Sequence, residues 1–199
     1  MKSQPLVLAS SSKYRKKILQ QITSDFICQS PEIDETRLQH ENASELVERL
    51  AIEKAKAIAR HHRNAIIIGS DQVCEFTPKN NRAQIIGKPK NHENAVRHLK
   101  EVSGQKVTLR TGLALYNAKT KTIQSCVDSF EIQFRELDDS LIENYLRADQ
   151  PYDCAGAVKA ESLGIILIEK MKGDDPNTLI GLPLIQLISM LNREQYTII

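Results

Sequence analysis

Hydrophobic residues recur along the chain in two ways, as short continuous runs and as stripes at helical spacing, and the two alternate. That order predicts a mixed α/β chain. Residues 6–9 read as a first strand, and 12–20 as a helix with Tyr14, Ile18 and Leu19 on one face. A short strand is expected at 26–29. A long helix at 43–60 carries Val47, Leu50, Ala51, Ala55 and Ile58 on its apolar face. Residues 65–68 are continuously apolar, the pattern of a strand buried on both faces. The polar stretch 76–84, with Pro78, Asn80 and Asn81, reads as a surface excursion. A helix at 91–102 places Ala95, Val96, Leu99 and Val102 on one stripe and is stopped by Ser103-Gly104. Strands at 107–116 and 123–134 flank a polar turn, so an antiparallel hairpin is expected. A helix at 138–147, a strand at 164–169 and an amphipathic helix at 183–193 complete the pattern. With no internal repeat, low-complexity tract or evident linker, residues 1–199 are expected to form one α/β unit with two lobes around a cleft.

Charge and composition narrow the function classes. Among 199 residues, 27 are Lys or Arg and 25 Asp or Glu, a formal net charge of +2. This balance speaks against a basic nucleic-acid coat and an acidic disordered tail. The absence of Trp and an aromatic content of 5% speak against a stacking platform for single strands. No apolar run is long enough to span a bilayer. The run at 6–9 is shorter than a signal-peptide core and is followed by lysines. Cys28, Cys74, Cys126 and Cys154 are widely spaced, with no CxxC pair and no Cys/His cluster. Free thiols in a reducing cytoplasm are therefore expected, rather than a disulfide framework or a structural zinc.

Several residues sit where structure alone does not ask for them. Lys54 falls in the middle of the apolar face of the long helix, whereas Lys56 points the opposite way. A lysine there must find an anion or snorkel outward. Asp71 follows the buried run as Gly69-Ser70-Asp71-Gln72, and ligands in α/β sheets gather at strand carboxyl ends. Taken alone, such an Asp is more often a turn residue. Ser10, Ser12 and Arg15 lie in a strand, serine loop and basic helix start, which suits a phosphate, although an ordinary N-cap gives the same pattern. Glu35 ends a carboxylate pair in a loop, and Lys88 sits in Gly87-Lys88-Pro89. Together these supply three cations and two carboxylates, a set suited to a polyphosphate with a divalent metal. Neither GxxxxGK[ST] nor GxGxxG is present, so neither a P-loop nor a Rossmann dinucleotide site is supported.

The order of these motifs is similar to that of a known family. Leu8-Ala9-Ser10-Ser11-Ser12 through Arg15, Ile33-Asp34-Glu35, the Leu50–Ala55 stretch around Lys54, Gly69-Ser70-Asp71-Gln72, Gly87-Lys88-Pro89, Val102-Ser103-Gly104, Thr111-Gly112, Cys154-Ala155-Gly156 and the 175–183 segment occur in sequence. The chain resembles the Maf family of nucleoside triphosphate pyrophosphatases from about residue 6 to residue 193. The resemblance implies a two-lobed α/β fold with a mixed sheet and a central substrate cleft, related to inosine triphosphate pyrophosphatases and often dimeric. It implies hydrolysis of a nucleoside triphosphate to the monophosphate and pyrophosphate with a divalent cation (Mg2+, Mn2+ or Co2+). By motif match, Ser10, Ser12, Arg15, Lys54 and Lys88 bind substrate, Asp71 is the proton acceptor, and Glu35 and Asp71 are the metal carboxylates. Which carboxylate holds metal and which acts on water stays open at this level. The family's usual proline is Lys13 here, and the 76–84 segment is longer than usual.

Three positions speak to substrate. Tyr14, Gln72 and Glu161 resemble the branch acting on 7-methyl-GTP. The dTTP/UTP branch carries arginine, threonine and glutamine at these places. An aromatic face suits the cation of N7-methylguanine, and a carboxylate suits the guanine N1–H and N2–H2 donors. The expected activity is hydrolysis of 7-methyl-GTP to 7-methyl-GMP and diphosphate in the cytoplasm, with neither nucleic-acid nor membrane partner, and the resemblance implies a homodimer. The alternatives are a dTTP/UTP pyrophosphatase of the same family, a non-enzymatic nucleotide-sensing regulator of cell division, and a thiol enzyme using Cys74 or Cys154.

Overall fold

The computed structural model describes residues 4–78 and 83–198. Seven strands and six α-helices alternate along them: β1 (Leu6–Leu8), α1 (Lys13–Leu19), β2 (Ile27–Cys28), α2 (Ala43–Ala59), β3 (Ile66–Phe76), β4 (Gln84–Ile86), α3 (His92–Val102), β5 (Lys106–Asn117), β6 (Thr122–Phe134), α4 (Asp139–Asp149), β7 (Ile168–Lys172), α5 (Pro176–Ile180) and α6 (Leu184–Arg193). The strands form one mixed sheet in the order β2-β1-β3-β5-β6-β7, with β4 paired to β3. β1 is parallel to β2 and β3, whereas β3–β4 and β6–β7 are antiparallel.

The chain divides into two compact units, one of Met1–Asp71, Thr111–Asp128 and Gly181–Ile199, the other of Gln72–Arg110 and Ser129–Ile180. In the first, Val7, Ala9, Ala51, Ala55, Ile58, Ala65, Ile67 and Ala114 form a buried cluster. Small residues dominate it because α2 lies very close to the strands. A Cβ on Gly69 would stand 2.1 Å from the Ala51 carbonyl oxygen, and one on Gly112 would stand 2.0 Å from that of Val47. Only hydrogen fits at either point. Helix α2 begins with a capping box, Asn42 accepting from the Glu45 N–H while the Glu45 side chain accepts from the Asn42 N–H. In the second unit, α3 and α4 cover a larger core around Leu99, Phe134, Ile142, Tyr145 and Leu146. Burying each such side chain contributes roughly 1.5–3 kcal/mol.

Three expectations change. The strand expected at 65–68 runs on through Phe76, so Asp71 lies in mid-strand rather than in a turn at its end. The continuation holds because β4 pairs with Cys74–Phe76 and because the polar side chains within it find partners. The strand expected at 164–169 begins at Ile168. Before it, Leu163–Leu167 form a 3₁₀ turn, in which the Ile165 N–H donates to the Ser162 carbonyl and the Ile168 N–H to the Ile165 carbonyl, while the Gly164 N–H closes the preceding turn onto the Lys159 carbonyl. The 76–84 excursion begins and ends inside the β3–β4 hairpin, and residues 79–82 of it lie outside the described residues. The apolar pattern gave no sign of α5, a helix of only five residues.

Candidate active site

The close approach of α2 to β3 decides where the charges meet. Asp71 is two residues beyond Gly69 and so lies on the same face of β3. Lys54 is one turn beyond Ala51 on the buried face of α2. Its Nζ donates to Asp71 Oδ1 at 2.6 Å and pairs with Glu35 Oε1 at 2.7 Å. Lys54 is only 6% exposed, so the lysine on the apolar stripe has found anions rather than snorkelled to solvent. Asp71 is buried too, while the Glu35 side chain is 61% exposed.

The serine loop and Arg15 belong to the same unit. Ser10 Oγ accepts from the Ser12 N–H at 3.1 Å, and Ser12 Oγ caps α1 by accepting from the Arg15 N–H at 3.3 Å. Both hydroxyls therefore shape the loop. Arg15 Nε donates to the Gly181 carbonyl at 2.8 Å, and Ser70 Oγ donates to the same oxygen at 2.9 Å. Burial lowers the pKa of the Arg15 guanidinium, and the charges of Asp71 and Glu35 work against that shift. Two cations, Arg15 and Lys54, are thus matched by two carboxylates. Ser70 and the Gly181 carbonyl were not singled out in the sequence. The available sign was the glycine inside the 175–183 motif; a backbone acceptor leaves no other mark.

Tyr14 is half-buried, and Lys13 Nζ lies 5.1 Å from its ring centroid, within cation–π range. Lys13 therefore offers its own cation to that ring.

The remaining expected residues belong to the second unit. Lys88 is exposed in the segment after β4, beside the buried Pro89, whose carbonyl accepts from Asn94 Nδ2 at 3.0 Å. Gln72 Nε2 donates to the carbonyls of Thr178 at 2.7 Å and Leu179 at 3.2 Å, so its amide secures the last turn of α5. Glu161 is exposed in a turn tied to the end of α4. There Lys159 Nζ donates to the Asp149 and Gln150 carbonyls and Ser162 Oγ donates to Asp149 Oδ1 at 2.9 Å. A lysine on the last carbonyls of a helix also complements its dipole.

Among the described residues no group of three or more His, Cys, Asp and Glu side chains gathers as a metal cage. Glu35 and Asp71 nevertheless converge on one cation, Lys54 Nζ. Two hard carboxylates of this kind suit a Mg2+-type ion, which commonly takes one or two carboxylates and completes its shell with phosphate and water. Cys74 is buried, and burial with the nearby Glu75 pushes its thiol up to about 12, which disfavours the nucleophilic thiolate near neutrality.

The family described as Maf-like protein matches residues 5–194, and the chain belongs to the Maf family. A protein of Colwellia psychrerythraea named 7-methyl-GTP pyrophosphatase is 50% identical over 191 residues, covering 94% of this chain and 92% of its own. One of the same name from Vibrio parahaemolyticus is 45% identical over 199 residues and is matched over the whole length of both chains. Among solved structures, the Ham1 protein of Staphylococcus aureus aligns with a TM-score of 0.48 at 16% identity, covering 67% of this chain and 73% of that one.

Proposed function

We propose that this chain hydrolyses 7-methyl-GTP to 7-methyl-GMP and diphosphate, removing a modified nucleotide from the cytoplasmic pool. The observation that carries the hydrolytic part is the buried Lys54 held between Asp71 and Glu35. The choice of nucleotide is supported by relatives at 45–50% identity over nearly the full chain that bear the name 7-methyl-GTP pyrophosphatase. Free cysteines at 28, 74, 126 and 154 agree with a reducing compartment. No helix among the described residues is long and apolar enough to cross a membrane.

In this reading Asp71 orients the attacking water and takes its proton through the second carboxylate oxygen. The water attacks the α-phosphorus, the α–β bridging bond breaks, and pyrophosphate leaves. Lys54 has three N–H donors. Two are used on Asp71 and Glu35, and the third serves a phosphate oxygen. Arg15 and Lys88 offset charge that develops on the phosphates. Asp71 and Glu35 would hold a divalent cation (Mg2+, Mn2+ or Co2+), which when bound polarises phosphoryl oxygens. Ser10 and Ser12 keep the loop beside Arg15 in shape. Glu161 takes the guanine N1–H and N2–H2 edge, and Tyr14 the methyl cation, a contact worth about 0.5–2 kcal/mol. Gln72 acts by holding α5 in place.

Initial rates on 7-methyl-GTP, GTP, dTTP and UTP test the assignment. 7-methyl-GTP is expected to have the highest kcat/KM, and a higher value for dTTP or UTP would replace the reading with the pyrimidine alternative. Asp71→Asn is expected to lower kcat by about 10²–10⁴-fold with the fold intact. Glu161→Gln is expected to lower kcat/KM for 7-methyl-GTP far more than for UTP. An equal loss on both substrates would remove Glu161 from base recognition.

A further inference from the structure

Glu35 lies in the stretch without regular structure between β2 and α2, yet its carboxylate sits 2.7 Å from Lys54 Nζ. An exposed side chain on an irregular loop does not keep such a position unaided, because fixing each backbone residue costs about 1–2 kcal/mol. Helix α2 supplies the anchor. Arg49 donates from Nε to Glu41 Oε1 at 2.6 Å and from Nη2 to Glu41 Oε2 at 2.9 Å, a two-pronged pair. The same Nη2 donates to the carbonyl of Thr36, the residue after Glu35, at 3.1 Å. Glu41 is only 7% exposed. Its Oε2 also accepts from the Leu38 N–H at 3.0 Å, and its carbonyl accepts from Arg37 Nε at 2.7 Å. On the other side of Glu35, Asp34 Oδ1 accepts from the Thr36 N–H at 2.9 Å, a tight turn that brackets Glu35 itself.

We infer that Glu41 and Arg49 are positioning residues that hold Glu35 at the place where it serves the metal, through the Arg49 bond to the Thr36 carbonyl. Arg49 and Lys54 are on one helix, so the same rigid element that carries the buried cation also fixes the loop carboxylate facing it. The inference rests on the reading of Glu35 as a metal carboxylate. Outer partners of metal-binding side chains commonly account for 10–100-fold in metal affinity.

The test follows Mn2+ binding to the full chain by loss of the free-ion electron paramagnetic resonance signal, alongside thermal melts. Glu41→Gln removes the charge and one prong, and Arg49→Lys keeps the charge but loses the fork. Both are expected to weaken Mn2+ binding by about tenfold or more. The double variant Glu35→Gln/Glu41→Gln is expected to bind no more weakly than Glu35→Gln, because Glu41 acts through Glu35. If Glu35→Gln weakens Mn2+ binding while Glu41→Gln and Arg49→Lys only lower the melting temperature, the inference is overturned and the metal reading stands. If Glu35→Gln binds Mn2+ as wild type does, or wild type binds none, the metal reading fails and the inference with it. Should Glu41→Gln not fold, Arg49→Lys alone decides.

Discussion

At the scale of single residues, Lys54 concentrates the conflict between burial and charge. A lone buried ammonium is very costly, and Lys54 is tolerated because Asp71 and Glu35 face it. Replacing a buried ion pair as a whole can be neutral, but removing one partner leaves the other uncompensated. Lys54→Met is therefore expected to destabilise the protein, by about 3 kcal/mol in urea unfolding, because Asp71 stays behind largely buried without its cation. A more stable Lys54→Met protein with unchanged kcat/KM would make the lysine incidental to both fold and chemistry. Cys74 presents the opposite case. Its raised thiol pKa predicts that it resists iodoacetamide in the native protein near pH 7.5, and that Cys74→Ala retains kcat. Loss of turnover in that variant, with the fold retained, would revive the thiol alternative.

At the scale of elements, the α2–β3–β5 contact brings Lys54 against Asp71. Gly69 and Gly112 meet backbone atoms of α2, which cannot rotate aside as a side-chain tip could. Gly69→Ala and Gly112→Ala are each expected to cost roughly 3 kcal/mol or more, since the helix must move. Gly69→Ala should also lower kcat, because α2 carries Lys54 against Asp71. An unchanged urea midpoint in either variant would show that the helix can shift freely. This contact also marks how far sequence reaches. Helical periodicity put Lys54 on the buried face of α2, and the structure agrees, because a 3.6-residue repeat is a local property. The motif around Asp71 was visible, but its place in mid-strand was not, since what extends β3 is pairing with β4 and hydrogen bonds to distant segments. The Gly164 turn was misread for the same reason. Its apolar run looks like a strand, and the three-residue bonds from Ile165 to Ser162 and from Ile168 to Ile165 show otherwise. Glu35 is legible as chemistry, yet the Glu41–Arg49 pair beside it is not, because a loop glutamate ahead of the helix cap and an arginine on the helix carry no local sign of each other until the path of the loop is known.

At the scale of the whole molecule, the perturbed acids and the half-buried His98 all push in one direction. The Arg49 hydrogen bond holds the Glu41 carboxyl below the ordinary glutamate range. Bonds from Thr36, Lys106 and His92 do the same for Asp34, Glu131 and Glu143. A carboxyl with a depressed folded-state pKa adds stability above its unfolded pKa and loses it as pH falls through the folded value. Burial lowers the pKa of His98, so the unfolded chain takes up that proton first as the solution is acidified. In both cases the unfolded state binds more protons over the window, and stability must fall with pH. Repulsion adds to this, because protonating the 25 acidic residues leaves 27 Lys and Arg unbalanced. The urea midpoint is therefore expected to decline below about pH 6.5, where an ordinary histidine titrates, and most steeply from about pH 4.3 downward, where ordinary glutamates do. Glu41→Gln removes one of the depressed carboxyls, so it should lower the midpoint at pH 7 and flatten the acid limb, with the two proteins converging once the pH has fallen through the folded-state pKa of Glu41. Parallel curves for wild type and Glu41→Gln would mean that the Arg49 pair carries no pH-dependent stability. A midpoint that rises on acidification would contradict the whole set of shifts.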